Sequence, residues 1–292
     1  MKNLLLVVCT FIPALLFAQT PVETYAVDSN SVEHAGVPKG ELLKFSFDQS
    51  KIFPGTFREY WVYVPAQYKA DKPACVYVNQ DGIQWKAPTV FDNLINKNLM
   101  PVTIGVFVTP GKVLADSGSN ALNRFNRSFE YDGLGDAYTR FILNEILPEV
   151  EKQKTSDGRA IRLSKNGNDR AIGGSSSGAI CAFTAAWQRP DYFQKVMTHY
   201  GSFTNIKGGH VYPDLVRKAA KKDIKVFIQD GANDLDNIHG NWWLSNLQLE
   251  AALKFKGYEY RFEKGTGGHN GKHAGSILPE SLKWLWADAM KK

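Results

Sequence analysis

The sequence is poor in cysteine, with three in 292 residues. Cys9 lies in an N-terminal segment set apart below, and the remaining pair, Cys75 and Cys181, cannot build a disulfide framework. Each falls in an apolar run, one of strand type and one of helix type, so both are expected as buried thiols. Histidine is sparse too, six in all, and only His269 and His273 stand four apart. Gly271 between them interrupts the helical pattern a ligand pair needs, and no Glu accompanies them, so no metal is expected. No Walker loop occurs, and Gly173, Gly174 and Gly178 do not make a dinucleotide fingerprint, so no cofactor is expected either. Beyond residue 18 no run is long and apolar enough to cross a bilayer, which argues against stable membrane insertion. The net charge of +6 is scattered, as on Arg217, Lys218, Lys221 and Lys222, and no nucleic-acid motif goes with it. No internal repeat or long linker is present, and nothing indicates an oligomeric state.

What is there begins with a targeting pattern. Lys2 precedes the apolar run Leu4–Phe17, and Ala18 supplies a small residue before Gln19. This is the layout of a secretory signal peptide over residues 1–18, and it implies a secreted or periplasmic protein. Residues 19–40 are polar without periodicity and are expected as a loose arm. Residues 41–292 are expected as a single catalytic domain.

Eight apolar, β-branched runs mark strands at Lys44–Phe47, Arg58–Pro65, Ala74–Gln80, Val102–Thr109, Ala171–Gly174, Lys195–Tyr200, Lys225–Gln229 and Tyr258–Glu263. Helical spacing marks Pro88–Lys97, Leu134–Lys152, Ser177–Gln188, Trp242–Lys256 and Leu278–Met290. Strands come first and then alternate with helices. That order predicts an α/β fold: a mostly parallel eight-stranded sheet, helices on both faces and an antiparallel edge. Gly111–Asn126, rich in Gly, Ser and Asn, is a candidate loop over the site.

Gly174-x-Ser176-x-Gly178 lies between the fifth strand and a helix. A serine on such a turn is held in a strained conformation with its hydroxyl clear of the sheet, and the helix start supplies N–H groups for an oxyanion. Ser176 is therefore the candidate nucleophile. A serine needs a base, and the base needs a carboxylate. After the seventh strand stand Asp230, Asp234 and Asp236. Asp234, three residues past Gly231, is the candidate acid, with Asp236 as its rival. After the eighth strand, His269 among glycines is the candidate base, with His273 as rival at the start of the last helical region. The oxyanion donors expected are the N–H of Ser177 and that of Gly82 or Ile83 in the loop after the third strand. Trp85 and Trp242 on loops at this edge, with Trp243 beside them, offer faces for a sugar or phenolic group. His239 shares the loop of Asp234 and is a further candidate contact.

These residues carry a resemblance. The segments Arg58-Glu-Tyr-Trp-Val-Tyr-Val-Pro65, Val78-Asn-Gln-Asp-Gly82, Arg127-Ser-Phe-Glu-Tyr-Asp132, Gly173–Gly178 and Asp236-Asn-Ile-His-Gly-Asn-Trp242 are similar to the esterase group of α/β-hydrolases. That group holds feruloyl and acetylxylan carbohydrate esterases and enterochelin-esterase-like proteins. The resemblance covers roughly residues 40–290. It implies the α/β-hydrolase fold, Ser176 and His269 in the active site, an acid in the segment of Asp234, and Arg127 as a substrate-binding residue. Asn270 and Gly271 stand where many relatives carry an aromatic. The expected function is hydrolysis of acyl, acetyl or feruloyl esters on carbohydrate through an acyl-enzyme. A siderophore esterase and a non-catalytic carbohydrate-binding protein are the alternatives.

Overall fold

The computed structural model describes residues 23–291 except 117, 119 and 120. The expected signal segment lies outside the described residues. One eight-stranded sheet organises the chain. Its strands are β1 (Glu41–Phe47), β2 (Arg58–Val64), β3 (Cys75–Gln80), β4 (Thr103–Val108), β5 (Arg170–Ser175), β6 (Lys195–His199), β7 (Lys225–Gly231) and β8 (Glu259–Gly265). The spatial order is β1-β2-β4-β3-β5-β6-β7-β8. β1 pairs antiparallel with β2, and β2 with β4; every later pair is parallel. The eight expected strands are all present, with edges shifted by a few residues. β1 alternates partly buried and exposed positions, as an edge strand does, whereas β4, β5, β6 and β7 are buried throughout. Strands covered on both faces need no alternation, and their sequences read as continuous apolar runs.

The helices are α1 (Ala87–Asn96), α2 (Arg127–Tyr131), α3 (Ala137–Phe141), α4 (Leu147–Lys152), α5 (Ser177–Gln188), α6 (Tyr212–Lys218), α7 (Trp242–Phe255) and α8 (Lys272–Trp286). One core, with Phe141, Ile146, Ile180, Phe183, Phe203 and Leu249, fills one face of the sheet. A second, with Phe91, Phe107, Met197, Phe227, Leu282 and Trp286, fills the other. This is the two-sided α/β arrangement the element order predicts.

Three expectations change. The long helix over 134–152 is interrupted by a π-helical turn at Ile142–Ile146 before α4. Pro148 explains it: proline has no N–H to donate and its ring crowds the carbonyl four residues back, so the backbone widens there. The last helix starts at Lys272, six residues before the expected Leu278. The arm is not loose over its described part. Asn93 Nδ2 donates to the carbonyls of Asn30 (2.9 Å) and Val32 (2.8 Å), Lys97 Nζ to Asn30 Oδ1 (2.7 Å), and the N–H of Gly40 to Asp92 Oδ1 (2.7 Å). Tyr25 stacks on His273 with ring centres 4.6 Å apart. Polar side chains of α1 thus supply what the arm's sequence lacks. Cys181 is buried as expected, but Cys75, at the first position of β3, is only half-buried.

Candidate active site

The strand ends β3, β5, β6, β7 and β8 share one edge, where loops leave a parallel sheet and ligands bind. Ser176 stands between β5 and α5 with φ 57° and ψ −123°, a conformation a non-glycine residue holds only when its surroundings enforce it. Its N–H donates to His199 O (3.0 Å), and its carbonyl accepts from Ala179 (3.0 Å) and Ser202 (3.2 Å). The motif glycines are steric necessities. A Cβ on Gly174 would lie 2.5 Å from Gly178 O, and one on Gly178 would lie 2.9 Å from Asp81 Oδ2.

Asp234 and His269 come from loops brought together by adjoining strands. β7 and β8 pair in register to Gly231 and Gly265, and the N–H of Asn233 donates to Gly267 O (3.1 Å). A Cβ on Gly231 would run into Gly267 itself. From this crossing, His269 Nδ1 lies 2.6 Å from Asp234 Oδ1 and Nε2 lies 2.8 Å from Ser176 Oγ. The imidazole is gripped edge-on by Tyr200 (4.9 Å, 76°) and Trp242 (5.8 Å, 78°). The Asp234 side chain is fully buried, while that of His269 is 19% exposed and reachable from solvent. With its Nδ1 proton held by the carboxylate, the ring presents a bare Nε2 to the serine hydroxyl. This arrangement can remove a proton from Ser176 as it attacks a carbonyl.

The rivals fall elsewhere. Asp236 is exposed in a short hairpin, paired with Asn241. His273 points behind the site, with Nδ1 3.3 Å from Gln229 Nε2. His239 sits at the hairpin turn, half-buried, and its carbonyl accepts from Asn205 (2.8 Å); no hydrogen bond links its ring to Ser176 or His269 among the described residues. In the oxyanion loop the N–H of Gly82 is spent on Val108 O (3.1 Å). No hydrogen-bond partner for the N–H of Ile83 or Ser177 is found among the described residues, which leaves these two as the available donors. Gly82 is thereby set aside.

Trp242 and Trp85 differ from the ligand-platform reading, while Trp243 takes the packing role its position also allowed. Trp242 is 3% exposed and donates Nε1–H to Ser202 Oγ (3.0 Å), so it offers no face to a ligand. Trp85 is wedged against Gly271 of the His269 loop and Gly275 of α8, and packs edge-on to His199 at 4.7 Å. Trp243 packs on Phe262. Arg127 grips Asp81 with two bonds, Nε–Oδ1 at 2.7 Å and Nη2–Oδ2 at 2.8 Å, and donates to Ser175 O (3.2 Å). It braces the loop before Ile83 and keeps about a third of its side chain in solvent.

Asp230, set aside as the acid because it lies close to the strand, has another role. It lies next to last in β7, fully buried, and accepts from Gly231 N–H (2.7 Å) and Asn246 Nδ2 (2.8 Å). Asp234 Oδ2 is likewise buried, and its neighbour is Asp230. Two adjoining buried carboxyls cannot both ionise. Burial, then the bond to Asp234, pushes Asp230 up to about 9. Burial also works against ionisation of Asp234, but bonds from His269 and Asp230 outweigh it and hold Asp234 below the usual carboxylate value. Asp230 is thus held neutral beside Asp234, which carries the charge.

A stability consequence follows. The folded state keeps a proton on Asp230 that the unfolded chain releases near pH 4. Its contribution to stability is therefore full below that pH and is lost as the pH rises through the folded value. Asp230→Asn cannot ionise. Its melting temperature should gain on wild type steadily between about pH 5 and pH 9; a difference independent of pH would mean that Asp230 is charged in the fold.

Comparison with known proteins agrees with this geometry. The family described as "Putative esterase" matches residues 54–285. No curated protein sequence matches significantly. Among solved structures, a ferulic acid esterase from Anaeromyces mucronatus, in complex with ferulic acid, superposes with a TM-score of 0.67 at 16% identity, covering 93% of this chain and 100% of that one. The enterobactin esterase of Shigella flexneri, solved with 2,3-dihydroxy-N-benzoyl-glycine, gives 0.64 at 17% identity over 87% of this chain. That of Salmonella typhimurium gives 0.65 at 17% over 87%. This chain spans only 62% and 60% of those two enterobactin esterases. At such identities the likeness establishes the α/β-hydrolase fold. The family match covers most of the chain, and the chain belongs to this esterase family.

Proposed function

We propose that the protein is a secreted or periplasmic serine esterase that removes acetyl or feruloyl groups from carbohydrate through an acyl-enzyme on Ser176. The observation that carries this reading is the unbroken hydrogen-bond chain from Asp234 Oδ1 through His269 to Ser176 Oγ. Ser176 Oγ attacks the ester carbonyl while His269 Nε2 takes its proton. The N–H groups of Ile83 and Ser177 receive the oxyanion. His269 then protonates the departing alcohol, and water releases the acyl group by the reverse route. Asp234 holds the imidazole in the tautomer that leaves Nε2 free.

The acyl preference rests on the loops beside Ser176. Phe129 follows Arg127, which is bonded to Ser175 O, and Ile238 lies in the hairpin after Asp234. Both are largely exposed, as are Leu122 and Phe125 on the loop before α2. They would give a phenolic or alkyl group an apolar rest, a role Trp242 cannot fill. The ferulic acid bound by the A. mucronatus esterase is such a group. Secretion rests on Lys2, the apolar run to Phe17 and Ala18.

A panel of acetylated and feruloylated oligosaccharides and a catecholate siderophore ester tests the substrate. The reading predicts the highest kcat/KM on a carbohydrate ester; preference for the siderophore ester would overturn it. Protein recovered outside the cytoplasm should begin at Gln19, and recovery of all of it with Met1 attached would count against secretion.

A further inference from the structure

Ser202 follows the end of β6 and was not singled out by any motif. Its Oγ lies 3.2 Å from Ser176 Oγ. Its N–H also donates to the Ser176 carbonyl at 3.2 Å, so the two serines are tied at backbone and side chain. The residue before it is fixed by Asn246 Nδ2, which donates to Gly201 O at 2.9 Å.

The direction of the hydroxyl bond follows from its neighbours. Trp242 Nε1–H can only donate, and it donates to Ser202 Oγ at 3.0 Å. The Ser202 proton is therefore free for another acceptor. Ser176 directs its own proton to His269 Nε2 at 2.8 Å, leaving a lone pair towards Ser202. The chain runs one way: Trp242 to Ser202, Ser202 to Ser176, Ser176 to His269. Ser202 is 1% exposed and Trp242 3%, so water does not compete for these bonds.

We propose that Ser202 is a further catalytic residue, whose hydroxyl donates to Ser176 Oγ and promotes departure of that oxygen from the acyl-enzyme. The proposal rests on the reading of Ser176 as nucleophile. In the free enzyme Ser202 already bonds the neutral Ser176 hydroxyl, so the attack gains little from it. The ester Oγ of the acyl-enzyme is a poorer acceptor, so the donor is felt mainly as Oγ leaves. In deacylation, water adds to the acyl carbon and gives a proton to His269 Nε2. The tetrahedral intermediate then collapses: the C–Oγ bond breaks, its electron pair passes to Oγ, and His269 returns the proton there. Negative charge grows on Oγ as the bond lengthens, and Ser202 O–H faces it without giving up its own proton.

The test is rapid-mixing hydrolysis of p-nitrophenyl acetate by wild type, Ser202→Ala and Trp242→Phe. A fluorophosphonate is applied first. It should label Ser176 at similar rates in wild type and Ser202→Ala, and failure to label either would strike at Ser176 rather than at Ser202. For Ser202→Ala we expect kcat to fall by about tenfold to a hundredfold while kcat/KM stays within about threefold. KM should fall with kcat, one nitrophenolate per enzyme should appear as a burst, and acetylated Ser176 should accumulate. Trp242→Phe, which removes the donor that orients Ser202, should show the same pattern more weakly. Unchanged kcat, or a parallel fall of kcat and kcat/KM without an acetylated intermediate, would overturn the proposal. A structural defect moves both constants together and gives that second result.

Discussion

Ser176→Ala should lower ester turnover by about five to six orders of magnitude, the loss expected when the nucleophile of a triad is removed. The reason is geometric. Among the described serines, Ser176 has the positive φ that lifts its side chain off the strand, and its hydroxyl lies 2.8 Å from His269 Nε2. Ser175 is buried and hydrogen-bonded to Gln84 Oε1 (3.1 Å), and Ser177 is the first residue of α5. Residual catalysis, about 10³–10⁴-fold over water, should persist from the oxyanion donors and binding. Folding should survive, because the hydroxyl meets only His269 and Ser202 and the backbone bonds that fix the turn remain. Steady-state kinetics and a melting curve on the same preparation check both halves. Turnover above about one per cent of wild type in a correctly folded variant would exclude Ser176 as nucleophile.

Asp234→Asn should cost about 10⁴-fold in kcat, whereas Asp236→Asn should stay within a few-fold. An amide at 234 has one face that donates and one that accepts. If its NH₂ turns to Nδ1, the imidazole must carry its proton on Nε2 and cannot take one from Ser176. The buried partner adds to the effect: Asp230 is held neutral beside the Asp234 carboxylate, and an amide at 234 changes that pairing. Asp236 has neither relation, since it is exposed and paired across a hairpin with Asn241. Comparable losses in the two variants, measured as kcat at saturating ester, would contradict the assignment.

The eight strands were legible because six inner or near-inner strands have apolar and β-branched runs bounded by turn residues, and a parallel sheet writes itself that way. Ser176 was legible for a similar reason: close approach of β5 and α5 demands glycine at 174 and 178, and that demand leaves a pattern in sequence. The acid was narrowed but not fixed by sequence. Asp234 and Asp236 differ by two residues in the chain, and only the pairing of β7 with β8, which brings Gly231 against Gly267, decides which faces His269. Chain order gave no sign of Ser202 or Asn246, and it placed Asp230 near the acid without its partner, because these roles rest on contacts between separate segments and α7. Trp242 was misread for the same reason. An aromatic beside a loop is equally consistent with a ligand platform and a buried brace, and its indole N–H proved committed to Ser202. The arm before β1 looked loose because its partners, Asn93, Lys97 and His273, lie some 60 to 250 residues away.

The most direct test of the account is to locate the covalent adduct. Purified protein is treated with a fluorophosphonate at neutral pH, digested, and read by peptide mass spectrometry. The account predicts one adduct, on Ser176, and its near-absence in His269→Ala, where no base remains to take the proton. An adduct on another serine, or labelling of Ser176 that proceeds as fast without His269, would contradict it.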